Sequence, residues 1–373
     1  MKAIEILSDT NIGGAGILLC NRLKHTDSKK IKTTVILPKN SRLRQRVLSL
    51  GCPVEELRYG ADRSWSLLAF PSCFRLIRRL RPDLVNCHSS FVGRLASKAC
   101  RVPVVLYTHH SVFPLSRWDR SVIGRAMTRL SAVLLSDHCV AVAHAAKADL
   151  VQRGVPQGMI SVIINGAEEI RPMSREQREK VRAEIGFSSD HFIVGICGRL
   201  ERCKGHEDLI QCAQILLRNF SCFRFLVIGD GSQREVLEGL CKERGVAPYF
   251  YFTGFAEDVS PYMNVIDLLV NCSRGTETSS LALSEAMSLG IPTIASRYGG
   301  NPYMVRDGEN GYLYPVGNAL RLADRIRVLY ERQDLYQRMS DNAKRRFHEE
   351  LNARAMAEKT NRLYMDLHRK RRG

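Results

Sequence analysis

The sequence predicts two doubly wound α/β domains in tandem, each built on a parallel sheet. Three observations carry this. Short β-branched runs alternate with helical stretches in both halves. A charged, strandless segment containing Pro172 divides the halves near residue 170. The length of 373 residues is enough for two cores of ordinary size.

In the first half the expected strands are Ala3–Leu7, Thr33–Leu37, Leu84–Cys87, Val104–Tyr107, Cys139–Val142 and Val162–Ile164. In the second they are Phe192–Cys197, Phe223–Ile228, Tyr251–Phe252, Leu268–Val270 and Thr293–Ala295. Residues 170–190 read as a linker and an opening helix. Residues 341–373 read as helical, closing on the basic cluster Arg369 to Arg372. No internal repeat or low-complexity run interrupts this pattern.

A composition of 45% hydrophobic and 25% charged residues describes a globular chain. MKAIEIL enters a strand directly, so no signal peptide is expected. The longest apolar stretch, Ser131 to Ala146, is broken by Asp137 and His138 and is too short and polar to span a bilayer. The twelve cysteines are scattered singly, with no C-x-x-C pair, which favours buried reduced thiols over disulfides or zinc. No HExxH, Cys/His cluster or D-x-D occurs, so no metal is expected. Residues 1–170 hold 25 Lys+Arg against 12 Asp+Glu and carry most of the net charge of +18. That field favours anionic partners: a membrane surface, a lipid-linked phosphate or nucleic acid.

The richest stretch runs from Asn271 to Pro315. A strand ends in a polar loop carrying Glu277. A helix follows, with Glu285 expected about two turns in. A Gly-Ile-Pro turn then leads to a strand that ends in Gly299-Gly300. Both carboxylates fall at the carboxyl edge of a parallel sheet, where open α/β sheets bind ligands.

Other candidates also follow strands. Arg199 and Lys204 lie in GRLERCKG, after Phe192–Cys197. Gly13, Gly14 and Gly16 follow the first strand, where a glycine-rich turn lets backbone amides approach phosphate. His109 ends the strand VVLYT, with His110 beside it and His88 in a similar position on another strand. Gly229-Asp230-Gly231 and Thr253-Gly254-Phe255 follow strands of the second half, where ordinary βα turns explain them nearly as well.

Taken in order, IGGAG, YTHH, INGAEE, GRLERCKG, IGDGS, TGFAED, the E-x7-E segment and GGNPYMVRDGENGYL make the chain resemble glycosyltransferase family 4 over nearly its whole length. That family comprises retaining, nucleotide-sugar-dependent enzymes of the GT-B fold, in which two Rossmann-like domains face a deep cleft. The resemblance implies an acceptor-binding domain over 1–170 and a donor-binding domain over 171–349, with a helix over about 350–373 packing back on the first. It implies that Glu285 holds the ribose hydroxyls and that Glu277 lies beside the transferred sugar. There a carboxylate stabilises oxocarbenium-like charge. Arg199 and Lys204 would take the charge of the departing diphosphate, and His109 would stand near the reacting sugar. Gly13, Gly14, Gly229, Asp230, Thr253, Gly254, Ser280 and Leu281 would line the donor. The family's usual Phe-Gly is replaced here by Ser279-Ser280, and a Glu common after the glycine pair is absent from Asn301-Pro302-Tyr303.

The expected activity is therefore metal-independent, cofactor-free transfer of a hexose or HexNAc, with retention, from a nucleotide diphosphate sugar of the UDP class. The acceptor would be a glycan or a polyprenyl-phosphate-linked or other lipid, in cell-surface polysaccharide or glycolipid synthesis. The enzyme would work at the cytoplasmic membrane face, its basic first domain on an anionic surface. Two segments suggest membrane contact: Arg63 to Arg81, with Trp65 and Phe70, and Phe113 to Arg120. A core-facing amphipathic helix explains positions 74, 76, 77 and 80 equally well. A nucleotide-sugar epimerase and a basic nucleic-acid-binding protein are the rivals. The E-x7-E segment argues against the first and the lack of a nucleic-acid motif against the second.

Overall fold

The computed structural model describes residues 1–372 apart from 9, 11, 12, 58–66 and 113. Trp65 and Phe113, singled out above, lie outside the described residues. The chain forms two units, residues 1–167 with 352–373, and residues 168–351.

The first unit holds β1 (Lys2–Leu7), β2 (Lys32–Pro38), β3 (Val54–Leu57), β4 (Leu84–His88), β5 (Val104–His109), β6 (His138–Ala141) and β7 (Ile160–Val162). They form one sheet in the order β3-β2-β1-β4-β5-β6-β7, with every pairing parallel. The second unit holds β8 (Phe192–Cys197), β9 (Phe223–Ile228), β10 (Phe250–Phe252), β11 (Leu268–Asn271), β12 (Thr293–Ser296) and β13 (Gly311–Tyr314). Their order is β10-β9-β8-β11-β12-β13, again all parallel. The fold class is the expected one. Strands such as β4 and β11 are buried along their whole length, because helices cover both faces of the sheet.

Three details differ from expectation. The edge strands β3 and β13 escape the sequence reading because VEEL is polar and GYLY opens on glycine. The last strand of the first unit is Ile160–Val162, two residues earlier than Val162–Ile164. The helix carrying Glu285 is only Leu281–Ser288, so Glu285 lies a little over one turn in rather than two.

The order of each sheet reverses between β1 and β4 and between β8 and β11. Such switch points open crevices at the carboxyl ends of the strands. The helix Phe70–Leu80 turns Cys73 and Ile77 into the first core, with Phe74, Leu76 and Leu80 packed at its edge. Positions 74, 76, 77 and 80 thus pack toward the core, as the core-facing reading of them expects.

The helix Ala353–Arg372 belongs to the first unit although it comes last in sequence. Tyr364 is fully buried and donates to Glu5 Oε1 at 2.9 Å. Arg22 pairs with the same carboxylate at 2.5 Å, and the Asn86 amide and His88 Nε2 reach its other oxygen at 3.0 and 2.8 Å. Burial alone would raise the pKa of Glu5. The charge of Arg22, helped by His88 and Tyr364, more than offsets this and holds it below the ordinary carboxylate value. We expect Tyr364→Ala to cost about 3–5 kcal/mol, the range for emptying a large aromatic site. Urea denaturation measures the loss, and hydrogen exchange should show the helix Ala353–Arg372 opening first.

Candidate active site

The loops after β8 and β11 meet at the switch point of the second sheet. After β8 the chain makes a 3₁₀ turn, Arg202–Lys204, then enters the helix His206–Leu216 through Gly205. Gly205 has φ of 65°, and a Cβ there would lie 2.2 Å from the Cys272 carbonyl oxygen. Only glycine lets the two loops touch. The Cys203 carbonyl then accepts N–H bonds from Arg274 (2.8 Å) and Gly275 (3.1 Å) across the gap.

This stitching delivers Lys204 to Glu277. Lys204 Nζ lies 2.8 Å from Glu277 Oε2. The same oxygen accepts from Ser273 Oγ at 2.7 Å and from the Asn271 amide at 3.2 Å. Glu277 is 5% exposed. Burial pushes its pKa up, but the charge and hydrogen bond of Lys204, with Ser273 and Asn271, bring it below the ordinary value. Asn301, fully buried, donates to Asn271 Oδ1 at 3.3 Å and so braces the far end of the network. Sequence reasoning missed Asn271, Ser273 and Asn301. An Asn ending a strand six residues before the loop Glu was the available signal.

The backbone under Glu277 is equally constrained. Thr276 has φ of 53°, costly for a β-branched residue, on the order of 1–3 kcal/mol. Gly300 donates to the Glu277 carbonyl at 3.2 Å. Any Cβ on Gly299 would sit 2.0 Å from that oxygen, and any Cβ on Gly300 only 1.4 Å from the Thr278 carbonyl. The glycine pair is thus a platform pressed against the loop.

Ser280 caps the helix Leu281–Ser288 by accepting from the Leu283 N–H. Its first N–H groups, starting with Leu281, point toward this edge, as an anion site requires. The Glu285 carboxylate is close enough to the Cys197 thiol at the end of β8 to add to the burial that raises the thiol pKa. Arg199 is exposed and, among the described residues, has no ion-pair partner.

Two further turns complete the edge. A Cβ on Gly229 (φ 136°) would meet the Gly198 carbonyl oxygen at 2.1 Å, so the turn after β9 packs directly on the loop of Arg199. Gly229 bridges Gly254 after β10, and Thr253 Oγ1 accepts from the Gly229 N–H at 3.3 Å. Asp230 is half-exposed, accepts from the Gly231 N–H at 2.8 Å and lies 3.9 Å from Arg234. The structure therefore brings Arg199, Lys204, Gly229, Asp230, Thr253, Gly254, Glu277, Ser280, Leu281 and Glu285 to one edge of one sheet.

The remaining candidates lie in the first unit. Gly13 caps the helix Gly14–Lys24 with its backbone alone, and a Cβ on Gly14 would meet nothing within 4 Å. His109 is buried, with Nδ1 3.0 Å from the Tyr107 hydroxyl and Nε2 3.0 Å from Asp149. His110, on the opposite face of the strand end, lies 2.7 Å from His88 Nδ1 and stacks on that ring at 5.0 Å. Through His88 it reaches Glu5. Among the described residues no three His, Cys, Asp or Glu side chains gather as metal ligands would.

Residues 12–169 match the family described as Glycosyltransferase Family 4, and residues 177–346 match Glycosyl transferases group 1. EpsD of Bacillus subtilis, provisionally named a glycosyltransferase, is 26% identical over 326 residues, covering 81% of this chain and 82% of that protein. The 2-deoxystreptamine N-acetyl-D-glucosaminyltransferase of Streptomyces fradiae is 29% identical, covering 70% of this chain and 66% of that one. HepE of Anabaena, solved with UDP and glucose, superposes with a TM-score of 0.85 at 21% identity, covering 98% of this chain and 100% of HepE.

The pairing predicts a charge-specific loss of stability. Lys204→Met leaves Glu277 buried without its cation and should cost about 3 kcal/mol in chemical denaturation, with Lys204→Arg retaining most of it. Because the folded carboxylate titrates below its ordinary value of 4.5, the contribution is complete above that pH and lost as pH falls through the folded pKa. The Lys204→Met variant should lack most of this acid dependence.

Proposed function

The chain belongs to glycosyltransferase family 4, with the GT-B architecture, and on that footing we propose that it transfers a hexose or N-acetylhexosamine from a UDP-sugar, with retention and without a metal ion, to a glycan or lipid-linked acceptor. Its enzyme class is glycosyltransferase. The observation that supports the finer reading is the pairing of Lys204 with Glu277 at the switch point of the second sheet, with Arg199 on the same loop as Lys204 and a serine-capped helix N-terminus following Glu277.

Each group then has a task. The diphosphate lies against the first N–H groups of the helix Leu281–Ser288 and toward Arg199 and Lys204, whose charge replaces a metal as the leaving phosphate becomes negative. Glu285 takes the ribose hydroxyls. Glu277, whose three donors all converge on Oε2, turns Oε1 to the sugar. Ionised, it favours the positive charge that develops at the anomeric carbon. The bond from that carbon to the phosphate oxygen breaks as the acceptor oxygen bonds on the same face, and the departing phosphate accepts the acceptor's proton. Asp230, Thr253 and Gly254 border the nucleoside. His109 spends both nitrogens on Tyr107 and Asp149, so it orders the end of β5.

UDP is the first nucleotide to test, in keeping with the complex of HepE. The concentrated positive charge of residues 1–170 suits an acceptor held at an anionic cytoplasmic membrane face, as in cell-surface glycan or glycolipid synthesis.

Thermal shift against UDP, GDP and ADP with EDTA present tests the donor. At a hundredfold excess over Kd, UDP should add about 2.7 kcal/mol, and Glu285→Ala should abolish the shift. Arg199→Ala should lower kcat about 10²–10³-fold while the fold survives. A product of inverted anomeric configuration, or turnover that depends on added metal, would refute the mechanism.

A further inference from the structure

The helix Val122–Leu135 is amphipathic with its apolar side outward. Its inner side is small: Gly124 and Ala132 are buried, and a Cβ on Gly124 would lie 2.1 Å from the Trp118 carbonyl oxygen. Its outer side carries Val122 (84% exposed), Ile123 (65%), Met127 (57%), Leu130 (58%), Val133 (47%) and Leu134 (60%). At 3.6 residues per turn these fill one arc of roughly 140°. Trp118, 55% exposed, extends the patch from the short helix Arg117–Arg120. An ordinary surface helix shows the reverse arrangement, and a contiguous apolar face of this kind marks an interaction site.

The net charge around it is basic. The helix contains no acidic residue. Arg125 and Arg129, both exposed, flank one side of the arc. Arg117 and exposed Arg120 stand at its beginning. Arg371 pairs with Asp137 just beyond its end and brings exposed Arg369 and Lys370 there. The nearby acids are already paired, Asp119 with Arg153, Asp137 with Lys98 and Arg371, and Asp366 with Arg369, which leaves Arg117, Arg120, Arg125, Arg129 and Lys370 as the excess.

We propose that this face is a membrane-docking surface, the helix Val122–Leu135 lying in the headgroup layer of an anionic bilayer with Trp118 at its leading end. Apolar side chains at the acyl boundary and arginines at headgroup level are what such a surface requires. A second copy of the chain fits less well, because a twofold pairing of the same patch sets arginines against arginines. The proposal deepens the reading of a membrane-borne acceptor and rests on it for its purpose. Of the two segments expected to touch a membrane, it builds on Phe113–Arg120, through Trp118, and extends the contact along the helix Val122–Leu135.

The test is flotation of the full chain with phosphatidylcholine vesicles, with and without phosphatidylglycerol. Binding should need the anionic lipid and weaken with salt. Ile123→Glu with Leu130→Glu, and separately Arg125→Glu with Arg129→Glu, should each lower the partition about tenfold or more. Unchanged melting temperature and unchanged UDP shift show that fold and donor site are intact. A wild-type chain that ignores anionic vesicles, or folded variants that still bind them, would overturn the proposal. So would a dimer in light scattering that the Ile123/Leu130 variant dissolves while vesicles bind neither form. Loss of the UDP shift alone, with flotation intact, counts against the donor reading and leaves the docking surface standing.

Discussion

A carboxylate removed from water has to be held by donors, and in the second domain that requirement at Glu277 organises everything around it. Lys204 supplies the charge, Asn271 and Ser273 supply hydrogen bonds, and Asn301 braces Asn271. To bring these together, the loops after β8, β11 and β12 must approach within van der Waals contact. Gly205, Gly299 and Gly300 remove the side chains that would keep them apart. The left-handed Thr276 is part of what that closeness costs. What results is a negative group held by fixed partners, paired with Lys204 and followed by a helix N-terminus.

The first domain repeats the device for a different end. Glu5 sits on β1 opposite Asn86 of β4, again beside the switch of strand order. Its partners are Arg22, His88, Asn86 and Tyr364, so the carboxylate ties a strand, two helices and the neighbouring strand into one knot. Buried ion pairs add little net stability against apolar packing, but they strongly penalise any arrangement that separates them. Both sheets thus hold a buried acid with fixed partners where the order of strands reverses.

Much of this was legible in the sequence. Strand and helix alternation gave the sheets because buried parallel strands are apolar end to end, and glycine-rich turns after strands pointed to the carboxyl edges. Glu277, Lys204 and Glu285 stood out for the same reason. The partners of Glu277 did not, since Asn271, Ser273 and Asn301 acquire their role only when distant loops meet. Glu5 is a single polar residue in an apolar strand, and nothing local says that Arg22 and Tyr364 will reach it. The orientation of Val122–Leu135 was also hidden. Periodicity tells that a helix has an apolar side but not that two small residues on the other side will let it pack the opposite way. VEEL was missed because an edge strand needs no apolar run, and GYLY because it opens on glycine.

The C-terminal helix has a consequence for how the molecule is made. Tyr364 and Asn361 complete a core whose other members, Glu5 and Arg22, lie near the start of the chain. A ribosome releases those early residues long before their partner helix exists. The second domain, continuous from 168 to 351, emerges whole in the meantime. Order of synthesis and order of completion are therefore opposed: the half translated first is the half finished last. Until the final turns leave the exit tunnel, the nascent first domain carries a buried-charge site without its full set of donors, which makes that interval the one in which a chaperone has most to protect.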